Sequence, residues 1–130
     1  MLDRIDLHVE VPSIDFKELS STVEGEPSAA IRERVDFARQ VQATRFMHEP
    51  KLLTNAAMPP KLVREHCELD SESSGLLEHA MDELNFSARA HDRILKVART
   101  LADLDGKKDI EPNHVLEAIQ YRTLDRETWV

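Results

Sequence analysis

Arg89, Arg93 and Lys96 recur at steps of four and three residues, a spacing that puts three cations on one face of a helix. Arg89 falls in the first turn of the segment from Ser87 to Leu104. There the unpaired main-chain N–H groups and the positive end of the helix dipole disfavour a cation by roughly 0.3–1 kcal/mol. A cation at this position calls for an anion nearby. A helix N-terminus and an arginine supply donors to the same cluster of oxygens, which is the chemistry of a phosphate site. The same spacing also fits a solvated basic face on an amphipathic helix. Arg4, just before an alternating segment, is the second arginine of interest, and a solvated pair with Asp3 or Asp6 is the alternative to a functional role.

Other chemistry finds less support. His66, Cys67 and His79 are the nearest approach to a metal-ligand set, but their spacing matches no established metal pattern, so ordinary histidines and a structural cysteine are expected. No nucleophile elbow is present. The chain has only Gly25, Gly75 and Gly106, too few to build a phosphate-cradling loop, and it lacks the Gly-x-x-x-x-Gly-Lys-Ser/Thr pattern. If nucleotide is the ligand, this chain contributes an accessory cation and not the main site, and catalysis by the chain alone is not expected.

The elements that position these residues follow from composition and periodicity. At 130 residues the chain suits one domain. Hydrophobic residues make up 41%, but Trp, Tyr and Phe number one, one and four, so the core must be built from aliphatic side chains, as packed helices allow. The formal charge of −8 argues against a nucleic-acid grip by this chain itself. Cys67 as the single cysteine excludes an internal disulfide and is consistent with a reducing cytoplasm. The polar start, with Asp3, Arg4, Asp6, His8 and Glu10, leaves no signal-peptide core, and no run approaches the ~20 apolar residues of a membrane span. A soluble, cytoplasmic protein with no membrane contact is expected.

Ile5 to Val11 alternates apolar and polar residues and stops at Pro12, which predicts one half-buried strand. No second strand follows to pair with it, so the segment is expected to belong to a sheet elsewhere and the chain to be a piece of a larger protein. Residues 13–27 read as a linker with a short turn around Phe16 and Leu19. From Pro27 a helix is predicted to about Phe46, its inner face Ile31, Val35, Ala38 and Val41, followed by a loop from Met47 to Met58. Pro59 and Pro60 open a short helix through Cys67. Ser71 or Ser73 opens another, with Leu76, Leu77, Ala80, Met81 and Leu84 facing inward. Ser87 caps the long helix, whose inner stripe is Ala90, Ile94, Val97, Ala98, Leu101 and Leu104 and which Gly106 closes. The last helix runs from Pro112 to about Arg122 on Val115, Ala118 and Ile119. The predicted fold class is all-α, a bundle of four to five helices preceded by one orphan β-strand.

Taken together, the two arginine-bearing segments carry a resemblance. Leu2-Asp-Arg-Ile-Asp-Leu-His-Val-Glu-Val11 resembles the end of an AAA+ ATPase core of the magnesium-chelatase-like group, and Ser87 to Leu104 with Ile110 to Arg122 resembles that group's C-terminal helical lid. Ala38 to Phe46, Asn55-Ala56 and the tail Leu124-Asp-Arg-Glu-Thr-Trp129 add to the likeness, which is nearest to the ComM/YifB-type competence protein family. The resemblance implies a division into residues 1–12 (last core strand), 13–27 (linker) and 28–130 (lid). It also implies that Arg4 matches the family's arginine finger and Arg89 its second-sensor arginine. ATP and Mg²⁺ would belong to the parent protein, neither bound tightly by this piece, and the partners would be the chain's own core, neighbouring subunits of a ring, probably a hexamer, and DNA. Arg39 and Arg45 match the pattern without an assigned role. The implied parent is a DNA branch-migration motor. A magnesium chelatase motor subunit and a free-standing helical interaction module are the alternatives.

Overall fold

The computed structural model describes residues 4–122, an all-helical arrangement with no strand among those residues. One turn of helix, α1 (Phe16–Leu19), lies in the predicted linker, where the Asp15 carboxylate accepts from the Glu18 N–H at 3.0 Å. Then come α2 (Ser28–Arg45), a 3-10 turn (Asn55–Ala57), α3 (Pro60–His66), α4 (Ser71–Leu84), α5 (Ala88–Leu104) and α6 (Pro112–Gln120).

Local signals account for most of the boundaries. Pro60 occupies the first turn of α3, where a missing N–H costs nothing. The cap of α4 is Asp70, accepting from the Ser73 N–H at 2.7 Å, and not either of the two expected serines. Ser87 caps α5 by accepting from the Ala90 N–H at 3.2 Å. That helix closes on Gly106, whose φ of 68° lets Lys107 N–H reach Ala102 C=O at 2.9 Å and Gly106 N–H reach Asp103 C=O at 3.1 Å. This reciprocal pattern satisfies two orphan carbonyls and needs a left-handed residue, so glycine fits where a Cβ would be strained. At the start of α6, Glu111 N–H donates to His114 Nδ1 at 2.9 Å.

Helix α5 is the axis of the structure. Ile94, Ala98 and Ala102 are fully buried, and around them pack Phe46, Met58, Leu62, Val63, Leu77, Val115 and Ala118. Each large aliphatic group buried this way contributes about 1.5–3 kcal/mol from apolar area removed from water. The stripes predicted for α4 and α6 face inward, with Leu76, Met81 and Leu84 only partly covered. On α5 the buried surface is wider than the predicted stripe: it takes in Leu95, Arg99 and Asp103, while Leu104 is exposed.

Two expectations fail. The alternation of residues 5–11 does not make a strand: Ile5, Leu7, Val9 and Val11 are exposed, and the polar-phase residue His8 is the buried one. Lacking a partner strand, the segment lies along its own helices, with His8 N–H donating to Tyr121 C=O at 2.8 Å and Arg122 donating to Ile5 C=O. On α2, Ile31 and Val35 are exposed and only the C-terminal half packs, through Ala38, Gln42 and the following Phe46. The periodicity identified a helix, but α2 meets α5 only beyond its midpoint. The tail Leu124 to Trp129, and Leu2 and Asp3, lie outside the described residues.

Candidate phosphate-binding cleft

Arg4, Arg89, Asp92, Arg93 and Lys96 line one open cleft of about 410 Å³. Arg89, Arg93 and Lys96 reach it because they share a face of α5, with Arg89 in the first turn just past the Ser87 cap. Arg4 reaches it because the N-terminal segment is tied down beside that face. Arg93 forms an ion pair with Asp6, Arg122 donates to Ile5 C=O, and His8 N–H is held by Tyr121 C=O. The cleft thus joins the two arginines that the sequence singled out.

Its charges are only partly cancelled. Asp6 engages Arg93, and Asp92 faces His91 at 3.2 Å. Lys96 Nζ donates to Ala56 C=O at 3.1 Å, a neutral acceptor that leaves the ammonium charge in place. Arg4 and Arg89 have no ion-pair partner among the described residues. An anion with several oxygens would meet two open guanidinium groups, the Lys96 ammonium and the first-turn N–H groups of α5, a donor set suited to phosphate. Divalent cations are poorly served, since both nearby carboxylates are already engaged and the cations outnumber them.

Behind the cleft lies a polar network that sequence reasoning missed. Arg45 meets the fully buried Asp103 side chain through two hydrogen bonds of 2.6 and 2.8 Å, and also donates to Asn55 Oδ1 at 2.9 Å. Asn55 Nδ2 donates to Asp103 Oδ2 at 2.9 Å and to Thr100 Oγ1 at 3.0 Å, and Asn55 N–H donates to Gln42 Oε1 at 2.9 Å. Arg99, 3.3 Å from Asp103, donates to the carbonyls of Lys107 and Lys108. Arg45, without a role on sequence grounds and expected at the surface, thus clamps α2 and the 3-10 turn to α5. Lys96, two positions outside this knot through its bonds to Ala56 C=O and from Thr100 Oγ1, connects it to the cleft.

The histidines and the cysteine fall elsewhere. His66 packs edge-on against Phe46 at 5.8 Å, and burial pushes the Cys67 thiol up to about 11. Asp105, Glu111 and His114 do bring one ligand atom each within 4.8 Å of one another. However, His114 Nδ1 accepts the Glu111 main-chain N–H, which fixes the proton on Nε2, where it is donated to Asp105 Oδ2 at 2.9 Å. A metal on Nε2 would drive that proton to Nδ1 and break the cap, so the trio closes the α5–α6 turn. A larger apolar hollow of about 650 Å³ between α3, α4 and α5, floored by Val63, Cys67, Leu77 and Leu95, adjoins the cleft at Asp92.

The chain was compared with known proteins. It is 43% identical over 126 residues to the uncharacterized protein YifB of Escherichia coli K12 and 40% identical over 126 residues to the competence protein ComM of Haemophilus influenzae. An uncharacterized protein of Mycobacterium bovis is 33% identical over 122 residues. The first two alignments cover 96% of this chain but 24% of each relative, so the chain spans about a quarter of the length of the curated relatives it matches. Residues 25–122 match the family described as magnesium chelatase, subunit ChlI C-terminal, and the chain belongs to that family.

Proposed function

We propose that this chain is the C-terminal helical lid of a ring-forming AAA+ ATPase, and that it delivers Arg4 and Arg89 to the phosphates of a bound nucleotide. The single observation that carries this reading is the cleft itself. Two arginines from opposite ends of the chain face one space with Lys96, and neither has an ion-pair partner among the described residues. Cations aimed at a transferring phosphoryl group stabilise the charge that builds up in its transition state, and an arginine in that role is worth about 10³–10⁵ in turnover. Arg4 takes the part of the arginine finger and Arg89 that of the second sensor. Because they share a cleft, both serve the same phosphate cluster, at the junction between one subunit and the next.

ATP and Mg²⁺ belong to the core of the parent protein in this reading. The cleft suits phosphate oxygens and assigns no residue of this chain to the metal. The parent's substrate is proposed to be branched DNA, moved by a cytoplasmic motor that is probably a hexamer. Support comes from the likeness to a protein named for competence. No helix of the structure is long and apolar enough to cross a membrane. A chelatase motor subunit remains the second reading, because the matching family is named for that enzyme.

The test is ATP turnover by the full-length protein, with and without branched DNA, comparing wild type with Arg4→Ala and Arg89→Ala. DNA-stimulated turnover that each substitution reduces at least 10³-fold supports the reading. Turnover indifferent to both substitutions overturns it.

A further inference from the structure

We infer that Asp6 and Arg93 form a latch that sets the position of Arg4 relative to Arg89, so that the segment bearing Arg4 travels with the helices as one body. This rests on the phosphate reading of the cleft and adds positioning residues to it.

Arg93 stands one turn beyond Arg89 on the same face of α5, and Asp6 stands two residues beyond Arg4. Their ion pair joins residues 87 apart in sequence. Two residues of chain span at most about 7 Å, so anchoring Asp6 to Arg93 confines Arg4 to the neighbourhood of Arg89. Both side chains of the pair are partly covered, at 30% and 42% exposure, which shields the contact more than a fully solvated pair. Neighbouring contacts act in the same sense: Ile5 C=O is held by Arg122, and His8 N–H by Tyr121 C=O.

The pair also has an electrostatic effect. Arg93 is the middle cation of the row Arg89, Arg93, Lys96. With Asp6 in place its charge is spent on the latch, and Arg4 can approach the row without a third unbalanced cation opposing it. Removing Asp6 therefore both unpins Arg4 and adds a repulsive charge at the place where Arg4 must sit.

The experiment uses the full-length protein and ATP. In Asp6→Ala, kcat is expected to fall about 10- to 100-fold, the scale of a misplaced catalytic group, with KM for ATP changed less than about threefold. Asp6→Glu, which keeps the charge, is expected to retain most of the turnover. On an Arg4→Lys background, which leaves measurable activity, Asp6→Ala is expected to cost little more, because Asp6 acts through Arg4. Wild-type kcat in Asp6→Ala, a rise in KM alone, or a full additive loss on the Arg4→Lys background would each overturn the latch. If Arg4→Ala and Arg89→Ala still abolish turnover in that case, the phosphate reading stands without it. If neither matters, the reading itself fails.

Discussion

Asp103 is the residue whose removal this structure penalises most. Its carboxylate is fully buried and accepts from Arg45 twice and from Asn55 once, with Arg99 at 3.3 Å. In Asp103→Ala the Arg45 guanidinium, whose side chain is 12% exposed, would keep only Asn55 Oδ1, and Arg99 would keep only the carbonyls of Lys107 and Lys108. Breaking a buried pair in this way costs about 3–5 kcal/mol, because the surviving charge stays desolvated without its partner. For a domain of this size a loss of 1 kcal/mol lowers Tm by about 4 °C, so a fall of about 12–20 °C is expected. The assay is thermal and urea unfolding followed by helical circular dichroism, on wild type, Asp103→Ala, Arg45→Met and the double variant. The double variant should be less destabilised than the sum of the singles by about 2 kcal/mol or more, since it removes both charges together. An Asp103→Ala variant within ~0.5 kcal/mol of wild type would refute the network as a clamp.

Stability should also fall as pH rises above about 9, partly through Cys67. Burial holds the folded thiol's pKa near 11 against an ordinary value of 9.0, so between those values the unfolded state binds fewer protons and is favoured. The contribution reaches about 2–3 kcal/mol by pH 11, and it is read as the difference between wild type and Cys67→Ala in unfolding at pH 8 and pH 11. Gly106→Ala should destabilise by about 1–2 kcal/mol, because φ is 68° there while the added Cβ meets Phe37 only at an ordinary 3.9 Å. Urea unfolding measures it, and a neutral result would contradict the strain argument.

Much of the helix pattern could be read directly from residues, since proline at first turns, Ser87 as a cap, Gly106 as a stop and three- and four-residue apolar steps all act locally. Residues 5–11 were misleading because alternation reports only what a strand would look like; whether one forms depends on a pairing edge, and here the segment lies on its own helices instead. On α2 the apolar steps marked the helix, but where α5 crosses it is a tertiary matter, which left Ile31 and Val35 exposed. The Arg45–Asn55–Asp103 knot was hidden for a different reason: charged residues at helical spacing are ordinarily assigned to solvent, and only the folded structure shows that these satisfy one another. As for the cleft, spacing alone placed Arg89, Arg93 and Lys96 on one face. The arrival of Arg4 depended on contacts from Asp6, Ile5 and His8 to residues near the other end of the chain.

The central claim is that Arg4 and Arg89 face one phosphate-binding space, and the most direct test is a titration of this chain with inorganic tripolyphosphate, followed through the arginine side-chain N–H resonances in NMR. The account predicts that the Arg4 and Arg89 signals move together along a single saturable curve with a Kd of about 1 mM, as a few exposed charge contacts would give, weakening as salt is added, while those of Arg39 and Arg64 stay in place. Independent curves for the two arginines, or saturation at other arginines with these two unmoved, would contradict it.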